Sequence, residues 1–236
     1  NEAKKMINRL KNKGKRFKLS YDGQVLRIIN LPKNYKDYPY ILASFPNSYY
    51  EKKMWYTKQR TKKDKTPAQT AKILSDEDKD MICAKIKKNV ELRLNVDYRK
   101  TFTSKWKSDL MNTYIDTNKQ KSVNAYIKAA KARKVVVSSG EVIVDPSSLW
   151  MESSGTTCYA RVYVKFRVKN GNIPSAKSKY QNEVIYGSYT AIKKLPSKKS
   201  ITYADEIGCD ISYTNKKITS CGVAWNFDCI ADTFGK

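Results

Sequence analysis

Beyond residue 134 the apolar residues stop recurring every three to four positions and start alternating every second one, and that change constrains the fold more than any other feature. In "TCYARVYVKFRV", Cys158, Ala160, Val162, Val164, Phe166 and Val168 fall on one side. Tyr159, Arg161, Tyr163, Lys165 and Arg167 fall on the other. A period of two is that of a strand with one face buried. Comparable runs at 134–144, 183–193, 203–213 and 217–227 are separated by "DPSS", "NGNIPSAKS" and "LPSKKS". Five strands in meandering order predict an antiparallel sheet with one face covered and the other wet. Upstream the spacing is helical: Ile82, Ile86, Val90 and Leu94; then Phe102, Trp106, Leu110 and Tyr114; then Val123, Tyr126, Ile127 and Ala130. Val90, Leu92, Leu94 and Val96 also alternate, but a helix running on toward Leu94 is the preferred reading. The expected class is α+β, with helices packed on a mainly antiparallel sheet.

The first 60 residues have another texture. "NEAKKMINRLKNKG" reads as a short helix stopped at Gly14. In "RFKLSYDGQVLRII" two alternating runs meet at Asp22-Gly23, a hairpin signal. A proline- and aromatic-rich stretch follows, with a short helix expected after Pro46, capped by Asn47 or Ser48. Tyr49, Tyr50, Trp55 and Tyr56 suit core or interface packing better than a sugar-stacking platform. Residues 61–80 are polar and charged, and mark the expected linker between an N-terminal segment (1–60) and the main domain (81–236). Within them Ser75 and Asp78 match a capping box, while Asp76, Glu77, Asp78 and Asp80 lack the calcium-loop pattern. The missing initiator methionine suggests either a trimmed chain or a processed export product, with no signal segment to decide between them.

Cysteine occurs at 83, 158, 209, 221 and 229, too widely spaced for the paired ligands of a thiolate zinc site or a redox motif. No metal site and no cofactor are expected. A short odd loop centred on Asn215 would set Cys209 opposite Cys221 in a hairpin, within disulfide reach. Two readings stand side by side: a Cys209–Cys221 disulfide in an exported protein, or a reduced, buried trio behaving as small hydrophobes.

The chain has 47 basic and 22 acidic residues, a formal charge of +25, and no histidine. Without imidazole there is no Ser-His-Asp or Cys-His nucleophile and no mixed Cys/His zinc site. The cations are mostly scattered lysines, which favours a solvated coat over base-specific readout, since the latter leans on arginine. Tyr159, Arg161, Tyr163, Lys165 and Arg167 form the candidate binding face, because interleaved rings and cations suit single-stranded nucleic acid, acidic polysaccharide or an acidic protein. A plain solvated strand face is the competing reading. Ser104 and Lys107 match S-x-x-K without its companion motifs. Glu141, Asp145, Glu183, Asp205 and Glu206 place carboxylates near strand ends, without fixing their separation. An enzyme is therefore the less favoured class. No apolar run approaches the ~20 residues of a membrane-spanning helix, so no transmembrane segment is expected.

The order of helices "TFTSKWKSDLMNTYI" and "SVNAYIKAAKARK", then "VVVSSGEVIVD", "TCYARVYVKFRV", "NEVIYGSYTAIKK" and a C-terminal hairpin, resembles the nuclear-transport-factor-2-like superfamily. The resemblance implies a curved sheet cradling helices, used as a small-ligand cone or a protein scaffold. No catalytic residue carries over from its isomerase members. The composition is similar to that of exported proteins of AT-rich Gram-positive bacteria, where such folds serve as extracytoplasmic domains, including scaffolds of conjugation channels. The expected function is a non-enzymatic, extracytoplasmic binding or scaffold protein whose partner is a protein or an anionic wall polymer. A ligand-binding protein or carboxylate enzyme with a pocket inside the sheet comes second, and a nucleic-acid binder third.

Overall fold

A computed structural model describes residues 15–19, 25–42, 45, 47–53, 55–115, 117, 119–132, 134–170, 200–214 and 217–233. The expected helix at 1–14, the Asp22-Gly23 and Asn215 turns and the strand at 183–193 lie outside the described residues. Strands β1 (Lys15–Leu19) and β2 (Val25–Asn30) pair antiparallel, as the hairpin reading expects. Short helices α1 (Asn47–Glu51), α2 (Trp55–Gln59) and α3 (Pro67–Thr70) follow. The long helix α4 (Asp76–Arg93) leads into β3 (Val96–Asp97), α5 (Ser104–Met111) and α6 (Lys119–Ala132). Strands β4 (Val136–Met151), β5 (Thr157–Asn170), β6 (Ser200–Thr214) and β7 (Lys217–Thr233) complete a five-stranded antiparallel sheet in the order β3-β4-β5-β6-β7. The molecule is α+β, with helices on a curved antiparallel sheet.

Helix α4 begins where its chemistry dictates. The Ser75 hydroxyl accepts the Asp78 amide at 3.1 Å while the Asp78 carboxylate accepts the Ser75 amide at 3.3 Å, satisfying two otherwise unpaired donors. Asp78 also accepts the Ile218 amide at 3.2 Å, so the cap ties the helix to β7. Ile82, Ile86 and Val90 of α4, Trp106 and Leu110 of α5, and Val123, Tyr126 and Ala130 of α6 bury one sheet face. Opposite them lie Val142, Val144, Cys158, Ala160, Val162, Val164, Phe166, Ile207 and Cys209, the apolar side of the alternating pattern.

Two local expectations are corrected. "DPSS" does not end a strand: Asp145 pairs with Arg161 and Trp150 with Tyr159, so residues 146–149 bulge out of a continuous β4. The reversal falls later, at Gly155, whose φ of 73° is costless only without a Cβ. The stretch 61–80 is folded onto the sheet. It holds α3 behind a Thr66 capping box, and the Lys65 amide donates to the Met151 carbonyl at 2.8 Å. Among the described residues no helix is long and apolar enough to cross a membrane.

Candidate functional site

The polar face of β5 was expected to meet solvent, and the structure divides it. Tyr159 and Arg161 are only 3% and 2% exposed, Tyr163 is half-buried, and Lys165 and Arg167 are exposed. The cause is the aromatic-rich N-terminal stretch, which lies across this face so that both sides of the sheet are covered. Phe45 stacks on Tyr49 at 4.4 Å between ring centroids and meets Tyr163 at 5.2 Å. Tyr159 is held between Trp150 at 4.4 Å and Tyr56 at 4.6 Å. Tyr49, Tyr50 and Tyr56 thus take the packing role.

Beneath that cover the register lines up Asp145, Arg161 and Glu206 across three neighbouring strands. The Arg161 guanidinium sits 3.5 Å from the Glu206 carboxylate, both nearly dry. It also donates to the carbonyls of Tyr49 and, at 2.6 Å, Lys52 at the end of α1. Glu206 accepts the Thr57 amide at 2.9 Å and the Thr57 hydroxyl. The pair therefore clamps the junction of α1 and α2 onto the sheet, through the Tyr49 and Lys52 carbonyls and the amide and hydroxyl of Thr57. Asp145 accepts the amide and hydroxyl of Ser147 at 2.9 and 2.7 Å. Burial raises its pKa, against the opposing pull of Ser147, Tyr50 and Arg161. Of the five carboxylates near strand ends, Asp145 and Glu206 belong to this buried cluster, and Glu141 is on the surface, 2.9 Å from Lys165. Glu183 and the Asp205 side chain lie outside the described residues.

Exposed cations gather elsewhere, where α6 enters the sheet. The Lys134 amide donates to Lys131 at 3.1 Å, the Tyr98 amide to Val135 at 3.0 Å, and the Asn170 side chain to the Lys134 carbonyl at 2.9 Å. These bonds bring the β3 turn, the end of α6 and the end of β5 together. They carry Arg99, Lys100, Lys131, Lys134, Arg167 and Lys169, all exposed. The carboxylate among them is Asp97, which Arg99 grips through two bonds of 2.9 and 2.7 Å. The Arg99 guanidinium also lies 5.7 Å from the Tyr98 ring. Lys134 holds a φ of 51°, a left-handed geometry that glycine adopts more readily, so a charged side chain occupies a position where local geometry prefers none. At the opposite end of β4 and β5, Lys58, Arg60, Lys62, Lys63 and Lys65 are interspersed with Asp64 and Glu152, which tie up local hydrogen bonds.

The expected hairpin register is also corrected. Thr214 pairs with Lys217, a bulge follows, and Cys221 faces Ile211 while Cys209 faces Val223. Cys209 instead has Cys158 as its direct neighbour on β5. Cys83, Cys158, Cys209 and Cys221 are all free thiols. No family model matches the chain, and no curated protein or solved structure matches it significantly. Sequence reasoning missed the basic end because its members are far apart in the chain and meet only through strand pairing. The run from 117 to 140, with its several lysines and no acidic residue, was the available signal.

Proposed function

We propose that this chain is a non-enzymatic binding or scaffold module of the extracytoplasmic bacterial envelope, and that its basic end contacts an anionic polymer. The convergence of six exposed cations around one already paired carboxylate carries this reading. Such a surface concentrates polyanions through its field and through counterion release, without needing base-specific contacts. Burial of Arg161 and Tyr159 supports it further, since the rival face has lost its central ring and cation to packing. The likeness in element order to the nuclear-transport-factor-2-like superfamily agrees with a scaffold role. The lysine-rich composition, like that of exported proteins of AT-rich Gram-positive bacteria, agrees with a place outside the cytoplasm.

Titration with a poly(glycerol phosphate) wall polymer tests the proposal. Six phosphate contacts to a flexible polyanion give a slope of about −4 in log K against log salt. Changing Arg99, Lys100, Lys131, Lys134, Arg167 and Lys169 together to Gln is expected to weaken binding by at least ~100-fold and flatten that slope. Changing Lys58, Lys62 and Lys63 to Gln should leave both nearly unchanged. Equal losses in the two variants, or a shallow slope in the wild type, would reject the basic end as the site. Tighter binding of a single-stranded oligonucleotide of equal charge would move the assignment to nucleic acid.

A further inference from the structure

Three thiols lie side by side across three strands on the helix-covered face, and they differ in a way that packing alone does not require. Cys158 on β5 is fully buried, and burial pushes its pKa up to about 12. Cys209, its direct partner on β6, is also fully buried, and its thiol donates to the Asp210 carbonyl at 3.9 Å. Cys221, one diagonal step away on β7, is only half-buried and reaches solvent near α4. From α4, Lys85 bears on it favourably and Asp78 unfavourably. The Lys85 ammonium is anchored nearby by the Asn112 carbonyl at 3.1 Å. The neighbouring Cys209 thiol comes first, and Lys85 second, in lowering the Cys221 pKa to about 7 against the cost of burial. A part-exposed thiol with a cation near it and a second thiol one diagonal step away is the arrangement of an attacking and a resolving cysteine.

We propose that Cys221 and Cys209 form a reactive dithiol that reduces low-molecular-weight disulfides and closes into an intrachain disulfide. The Cys221 thiolate attacks one sulfur of RSSR, forming Cys221–S–S–R and expelling RS⁻. Cys209 gives its proton to the departing thiolate and attacks the Cys221 sulfur, breaking the bond to R and releasing a second RS⁻, which takes its proton from water. Two protein thiols lose two electrons, and one RSSR becomes two RSH. Closing the bond calls for a shift of the hairpin tip, because diagonal neighbours stand farther apart than directly opposed ones. The fold allows that movement. The ladder is already irregular on both sides, at Ile207/Cys209 and Ser212/Tyr213, and among the described residues β7 is the last strand of the sheet. Beyond Cys221 the strand is pinned where the Val223 amide meets the Thr113 carbonyl at 2.8 Å, which confines the shift to the tip.

The test is reaction of the reduced full chain with oxidised glutathione, read by intact mass and by mapping after combined trypsin and chymotrypsin digestion, which separates Cys221 from Cys229. The expected product has lost two hydrogens, retains no glutathione, and yields a Cys209–Cys221 linked peptide. Cys209→Ser should trap one glutathione on Cys221. Cys221→Ser should slow the initial reaction by at least ~10-fold, and Cys158→Ser should change neither product nor rate. The rate should rise with pH to half its maximum near about 7, and Lys85→Gln should move that midpoint upward. A stable adduct on Cys83 or Cys229, a Cys158–Cys209 bridge, or no reaction would overturn the proposal. Mapping of the wild type decides the matter even if the Cys209 variant does not fold.

Discussion

Gly222→Ala is expected to destabilise the protein by about 3 kcal/mol, at the upper end of what one added methyl does in a packed interior. Gly222 is buried on β7, and a Cβ there would lie 2.5 Å from the Ile115 nitrogen and 2.8 Å from both the Ile115 Cβ and the Tyr114 carbonyl carbon. Two of those three atoms are backbone, so rotating a side chain cannot relieve the clash. The chain after α5 crosses here as a pseudo-strand, with Tyr114 bridging Val223 in parallel. The buried Asn89 amide donates to the Thr113 hydroxyl of the same segment at 2.8 Å, linking α4 to the crossing. Urea unfolding should show a lowered midpoint. Gly140→Ala is the control, because its nearest contacts, at 3.7 and 3.8 Å, are ordinary. Equal, small effects at both glycines would show that the crossing is looser than described.

Arg161→Ala is expected to cost about 3–5 kcal/mol, chiefly because Glu206 would remain charged, dry and without its partner. The carbonyls of Tyr49 and Lys52 would lose their donor as well. The loss should be local before it is global. The stretch from Leu31 to Arg60 should become open to proteolysis under conditions in which α4 to α6 and the sheet still resist. Glu206→Gln, which keeps the volume and part of the hydrogen bonding to Thr57, should cost less. Because the two groups share one network, the double variant should lose less than the two single losses added together, with a coupling of about 1–3 kcal/mol. Additive losses would mean that the pair does not act as a clamp.

The reach of the sequence can be followed residue by residue. Alternation in 157–168 told which side of β5 is apolar, and Cys158 through Phe166 do meet the helices. Helical spacing in Ile82, Ile86 and Val90 likewise placed α4, and Ser75 with Asp78 marked its start. These signals are local, and periodicity and capping are local physics. What lay over the other side of β5 was not local. A strand bearing Tyr, Arg and Lys reads as wet whether water or another segment covers it, because tyrosine and arginine satisfy both environments. Covering it takes partners more than 100 residues away, as the Arg161 bonds to Tyr49 and Lys52 show. The Cys209 register failed for a related reason. The pairing of Thr214 with Lys217 at the tip already moves the register by one residue, and the bulge between Ser212 and Tyr213 moves it by one more; bulges leave no dependable mark in composition. The gathering of Arg99, Lys134 and Lys169 is a product of strand order, which no window along the chain contains.

Where an anionic polymer touches the molecule is the most direct test of the basic end as a binding surface. Lysine acetylation footprinting, with and without poly(glycerol phosphate), reads that contact at single-residue resolution. Protection is predicted at Lys100, Lys131, Lys134 and Lys169, with Lys58, Lys62 and Lys63 at the far end labelled as freely as before. Protection centred on Lys58 to Lys65, or spread evenly over the surface, would contradict it.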